Sequence, residues 1–334
     1  MRAFIRYFID YLRNASGPAL LITLLFVGSL VSANYTIGIE SRIQSLPWYI
    51  ALATFFGFFS IVLALVWGLQ YEWGYKERAL TAAPALRRGR IEVTTTAAPS
   101  AYFQPKMVLL LVLAAFFFSL KMIHWDLTPL LPHSLHEPWD RYTLLVLQLP
   151  LKLLLLFALL YACRRAGLLE GDSLGNSVGL TTRNFNAAPY FGLLLALLPL
   201  IALAATQHDF LQVYPKVRNL NFIDGYTSPS WPWKLLYELS YGLDFLGIEL
   251  FFRGLLVIGI IRFVGADAIL PMAAFYCTIH FGKPLGECIS SFFGGLILGV
   301  LAARTRTILG GLIVHLGLAW LMELAGWLGN LHAH

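Results

Sequence analysis

Charge is what this chain has least of. Only 13% of its 334 residues are Asp, Glu, Lys or Arg, while 58% are hydrophobic. A soluble domain carries roughly 25% charged residues, so the composition excludes an ordinary soluble enzyme and indicates a polytopic membrane protein. Cysteine is scarce too. Cys163, Cys277 and Cys288 show no C-x-x-C spacing, which excludes a disulfide framework or a zinc finger; they read as buried thiols. The net charge of +6 comes without a basic stripe interleaved with stacking aromatics, so nucleic acid is excluded as a partner. No small-residue cleavage site follows the first apolar run, and no internal repeat stands out.

What the chain does have is long apolar runs. Spans of about 20 residues are expected near Pro18–Tyr35, Trp48–Leu69, Met107–Ile123, Thr143–Cys163, Pro189–Thr206, Trp233–Val264, Ala266–Phe281, Gly286–Ala303 and Ile308–Leu328. The fold class is therefore all-α, with eight or nine transmembrane helices, because the sixth run is long and the seventh short. The N-terminal stretch MRAFIRYFIDYLRN puts Phe4, Phe8, Tyr11 and Leu12 on one face, as in an interfacial helix. Arginines and lysines alternate between loops. Arg2, Arg6, Arg13, Lys76, Arg78, Arg87, Arg88, Arg90, Arg164, Arg165, Arg183, Arg262, Arg304 and Arg306 share one side, which predicts a cytoplasmic N-terminus. A bacterial inner membrane is the expected location.

Three loops are long. Residues 71–104 are polar and basic. His124–Tyr142 gathers His124, Asp126, His133, His136, Glu137 and Asp140, but the irregular spacing and prolines fit a solvated loop better than a metal site. Gln207–Pro232 enters the sixth run through SPSWPW, the Pro/Trp content of an interfacial anchor and helix start.

The exceptional stretch is Tyr241–Arg262, YGLDFLGIELFFRGLLVIGIIR. It is apolar enough to span, yet carries Asp244, Glu249 and Arg253. Ionisable groups at that depth cost at least ~2.5 kcal/mol each and face a protein interior or wet cavity. Glu249 and Arg253, four apart, can pair on one helix face. Either they are a structural pair, or the carboxylate works on a water molecule with Arg253 holding it or stabilising an oxyanion. His280 and His315 lie in later runs, and histidines can ligate a metal, position water or donate to an oxyanion. Gly294, Gly295, Gly299, Gly310 and Gly311 allow close helix packing around them.

Together, IELFFRG, YCTIHFGKPLGE and LGGLIVHLGLA resemble the CPBP family of intramembrane endopeptidases, which includes type II CAAX prenyl proteases and Abi-like, bacteriocin-processing homologues. The resemblance covers about Trp233–Leu328. Its motifs, Glu-Glu-x-x-x-Arg, Phe-x-x-x-His and His-x-x-x-Asn, imply roles for Glu249, Arg253, His280 and His315, with Tyr276 in the aromatic position. Two positions depart. Ile248 stands where the first glutamate, the implied base, would be, and Ala319 stands where the asparagine would be. Asp244, one turn before Ile248, is a candidate substitute base; Glu287 and Glu323 are candidates for supporting roles around the site.

These observations divide the chain into an N-terminal transmembrane region, 1–231, and a C-terminal CPBP-like core, 232–334. The expected activity is hydrolysis of a peptide bond in a membrane-bound or prenylated peptide, with membrane lipids as surroundings. Metal use is open: His280, His315 and Glu249 could form a three-ligand Zn2+ site. The main alternative is a catalytically inactive CPBP-like protein that binds a peptide, lipid or partner helix. A proton-relay transporter, or a cysteine peptidase using Cys277 with His280, has less behind it.

Overall fold

The computed structural model describes residues 2–76, 103–132, 135–183 and 185–332. The basic stretch around Arg87–Arg90 and His133 lie outside the described residues. Every regular element among the described residues is helical. In chain order the main ones are α1 (Arg2–Asn14), α2 (Gly17–Ile37), α3 (Ile39–Gln44), α4 (Trp48–Leu69), α5 (Pro105–Met122), α6 (Trp139–Arg165) and α7 (Leu174–Val178). There follow α8 (Ala188–Ala204), α9 (His208–Val213), a 3₁₀ turn (Lys216–Gly225) and α10 (Trp231–Glu249), which continues as a π-helical segment (Leu250–Ile258). The chain ends with α11 (Ile261–Val264), α12 (Ile269–Thr278), α13 (Leu285–Thr305) and α14 (Leu309–His332).

Local chemistry sets these boundaries. Ser16 caps α2 by accepting from the Ala19 amide at 3.2 Å, and Gly38 closes it at φ 70°, where a side chain would be strained. Ser173 caps α7 in the same way. Pro105 and Pro232 sit in first turns, where a missing N–H costs nothing.

Among the described residues, seven helices are long and apolar enough to cross a membrane, or up to eight if α8 and the His208–Gly225 segment, bent by 97°, count as one span. The longest unit, Trp231–Thr278, has 48 residues. At 1.5 Å per residue a straight helix of that length would run ~72 Å, over twice the ~30 Å hydrocarbon thickness. A turn at Gly265, at φ 62°, divides it at the boundary between the sixth and seventh runs read from the sequence. The N-terminal helix does more than lie flat: Phe4 packs on Tyr190 of α8 at 4.6 Å.

Long-range hydrogen bonds define two ends. At one, Arg262 pairs with Glu170 and donates to the Leu168 carbonyl, while Thr307 donates to the Thr181 carbonyl. At the other, Asn34 donates to the Phe281 carbonyl, Gln44 to that of Met122 and Asn330 to that of Tyr214. The arginines after α6, α10 and α13 thus share one end.

Between the ends lies an aromatic core. Phe59 meets Phe275 at 5.2 Å, Phe118 meets Phe251 at 5.0 Å, and Phe252 meets Phe275 at 5.6 Å. Such pairs contribute about 0.5–1.5 kcal/mol each, and in lipid that packing must hold helices together without a hydrophobic driving force. α12 and α13 approach closely at glycines: a Cβ on Gly299 would come within 2.6 Å of Met272 and one on Gly295 within 3.0 Å of Tyr276. Gly294 faces open space.

The arginine-rich end is expected to face the cytoplasm. In a protein whose three buried cysteines are replaced, a reporter at Ser173 should react with an impermeant thiol reagent only from the cytoplasmic side, and one at Ser45 only from the opposite side. The reverse pattern would invert the topology.

Candidate active site

The site forms where α10 passes into its π-helical segment. A π turn widens the backbone and recurs at functional positions; here it carries Arg253 just after Glu249, and every residue from Leu250 to Ile258 is buried. Glu249 and Arg253 are both 0% exposed, with Arg253 Nη1 3.1 Å from Glu249 Oε1. The contact is an ion pair without good hydrogen-bond alignment, since Arg253 Nε, Nη1 and Nη2 lack a hydrogen-bond partner among the described residues. A fully buried charge survives only when paired, so the two groups require each other.

α14 supplies His315, about 9 Å along the helix from Leu309. Its Nδ1 lies 2.5 Å from Glu249 Oε1. A carboxylate only accepts, so Nδ1 carries the proton. On the other side of the ring, Nε2 is 2.6 Å from the Tyr276 hydroxyl. Tyr276 comes from α12, lies under the Arg253 guanidinium at 4.6 Å, and meets the His280 ring edge-on at 4.6 Å. His280 Nδ1 faces the Tyr276 carbonyl at 2.9 Å. That carbonyl also only accepts, so the His280 Nε2 keeps its lone pair.

Glu249 Oε2 is buried with no hydrogen-bond partner among the described residues. It lies against α14 where a Cβ on Gly311 would come within 2.1 Å of it. Gly310 makes the same kind of room for the Tyr190 ring, at 1.9 Å. Gly311 is therefore what lets the carboxylate fit.

Of the residues singled out in the sequence, Glu249, Arg253 and His315 converge directly, and His280 joins through Tyr276. Three others do not join them. Asp244 forms an ion pair with Lys121 at the end of α5. Glu287 accepts from the Tyr214 hydroxyl at 3.1 Å and sits 3.8 Å from Lys283. Glu323 accepts from the backbone amides of Lys216 and Val217 at 2.8 and 3.2 Å, holding the 3₁₀ turn. Ile248 and Ala319, at 8% and 4% exposure, bring no polar atom. The residue that the sequence underrated is Tyr276, whose hydroxyl meets His315 and whose backbone carbonyl meets His280; its i,i+4 spacing to His280 was the available signal.

Both ring nitrogens of His315 are engaged, one by Glu249 and one by Tyr276. No group of three His, Cys, Asp or Glu among the described residues is arranged to hold a metal. His280, His315 and Glu249 do not fit a three-ligand Zn2+ site in this arrangement. Nor does Cys277 address His280: its thiol faces the Cys288 carbonyl at 3.3 Å and the Cys288 sulfur at 4.0 Å.

Two variants test this geometry. Arg253→Leu, which strands a buried carboxylate, should lower stability by about 3–5 kcal/mol, read as a fall in the unfolding midpoint of the detergent-solubilised protein. Adding Glu249→Gln should recover part of the loss; no recovery would mean the two side chains are not coupled. Gly311→Ala should displace Glu249 and abolish the activity proposed below while leaving the protein inserted, and full activity would disprove the close approach.

No curated protein and no solved structure matches the chain. Residues 231–321 do match a family model, described as Type II CAAX prenyl endopeptidase Rce1-like. That span holds Glu249, Arg253, Tyr276, His280, Gly311 and His315, so the segment that assembles this site is similar to the type II CAAX prenyl endopeptidase family.

Proposed function

We propose that this protein is an intramembrane endopeptidase that hydrolyses a peptide bond of a membrane-associated or lipidated peptide, with Glu249 as the base that activates water. The observation that carries this reading is the asymmetry of the Glu249 carboxylate. Oε1 is held by His315 and Arg253, whereas Oε2 is buried without a hydrogen-bond partner among the described residues. An oxygen so placed is free to accept a proton.

In the proposed step, Oε2 takes a proton from water and the water oxygen bonds to the substrate carbonyl carbon. The tetrahedral intermediate collapses by breaking the C–N bond, and Glu249 returns the proton to the leaving amine. The His280 Nε2 lone pair accepts from the same water and orients it. Arg253, with unbonded donors, supplies positive charge to the developing oxyanion, a task that Ala319 cannot share. His315 keeps the carboxylate fixed. Asp244, committed to Lys121, is left out of the chemistry. The family match makes a prenylated C-terminal peptide one candidate substrate, and a bacterial inner membrane with the basic end in the cytoplasm is the proposed setting.

A second reading has its own support. Ile248 and Ala319 are buried and apolar, which suits an inactive homologue that keeps the cavity to bind a peptide, lipid or partner helix. Glu249→Gln separates the two. With purified protein in lipid nanodiscs and quenched-fluorescent farnesylated peptides, Glu249→Gln and His280→Ala should each lose at least about 100-fold in rate while remaining inserted. A wild-type rate in Glu249→Gln would sink the peptidase mechanism, and absence of cleavage with retained peptide binding would favour the binding protein.

A further inference from the structure

We propose that Tyr276 is a positioning residue whose hydroxyl donates to His315 Nε2 and so locks His315 as the neutral Nδ1–H tautomer, aiming its proton at Glu249. The inference rests on the peptidase reading above for its catalytic consequence, but its structural content stands apart from any activity.

The geometry gives the chain of reasoning. His315 Nδ1 is 2.5 Å from Glu249 Oε1, and its Nε2 is 2.6 Å from the Tyr276 hydroxyl. With the proton on Nδ1, a neutral ring leaves Nε2 as an acceptor, and the phenol is the donor beside it. A charged ring would need Tyr276 to accept instead. That arrangement would add a second cation to a pocket where Glu249 and Arg253 already balance, with the guanidinium 4.6 Å from the Tyr276 ring. Balanced charge is the condition for burying such a cluster.

The placement of Tyr276 is itself over-determined. It is 4% exposed, packed edge-on against Phe252 at 4.9 Å and His280 at 4.6 Å, and backed by Gly295, where a Cβ would approach its ring to 3.0 Å. The hydroxyl therefore cannot wander from Nε2 without moving α12 or α13. Its consequence is a division of labour on one carboxylate. Oε1 is bonded to His315 and faces the Arg253 guanidinium, leaving Oε2 as the basic oxygen. Removing the hydroxyl leaves Nε2 without its donor and the Glu249 carboxylate as the one remaining restraint on the tautomer among these contacts.

The test is nitrogen NMR of full-length protein labelled with ¹⁵N-histidine in lipid nanodiscs at neutral pH, with His315→Gln used to assign the signal. The expected wild-type signature is a protonated Nδ1 and an unprotonated, hydrogen-bonded Nε2. In Tyr276→Phe, which changes one oxygen atom, the Nε2 signal should shift towards an unbonded nitrogen or an Nε2–H form. An imidazolium or Nε2–H signature at His315 in the wild type overturns the proposal without any variant, as does an unchanged spectrum in Tyr276→Phe. If the wild type cleaves peptide, Tyr276→Phe should lower kcat at least about tenfold with little change in KM. A wild type that shows the expected tautomer but cleaves nothing would leave this inference standing and remove the peptidase reading.

Discussion

A carboxylate and a guanidinium, neither touched by solvent, sit side by side within an apolar helix, and much of the structure can be traced to the need to keep them there. Charges at this depth are tolerated only when paired and enclosed. The π-helical turn carries Arg253 alongside Glu249, Gly311 clears the volume that the carboxylate occupies, and His315 and Tyr276 complete the polar side. On the opposite side, Phe251, Phe252 and Phe275 form a wall of rings.

The same arrangement reconciles two demands that usually conflict. A rigid site needs its polar atoms satisfied, whereas a reactive one needs at least one atom that is not. Here the satisfied and unsatisfied atoms belong to one side chain. Glu249 Oε1 anchors the group, and Oε2 remains unbonded among the described residues. His280 repeats the pattern, with Nδ1 tied to a backbone carbonyl and Nε2 free of that tie. In the peptidase reading proposed above, preorganisation of this kind supplies geometry before a substrate arrives.

Much of this was legible in the sequence. Apolar run lengths locate the helices, and the ionisable residues inside them locate the site, because such residues are too costly to be incidental. That argument singled out Glu249, Arg253 and His315, which the structure brings together, and also Asp244, which it does not. What the sequence did not reveal depends on partners far along the chain. Asp244 looks like a spare base from its spacing to Ile248, but Lys121, 123 residues earlier, lies opposite it. Glu323 lies one turn past Ala319, yet it points to the amides of Lys216 and Val217. Periodicity tells which residues share a helix face; it does not tell what that face meets. Tyr276 was visible as an aromatic, but its hydroxyl gains meaning only from the 2.6 Å approach of a histidine on another helix.

The bonds from α2 to the turn after His280 have a consequence for how far this core is portable. Asn34 donates to the Phe281 carbonyl and Tyr35 to that of Lys283, so the loop bearing His280 is pinned by a helix more than 240 residues upstream. The matched segment begins only at residue 231. A transplanted C-terminal third would bring its own glutamate, arginine and histidines but leave behind the clasp on one of them. The N-terminal helices are therefore a mould for the site as well as its anchor in the membrane, and their sequences can drift only as far as the shape of that clasp allows.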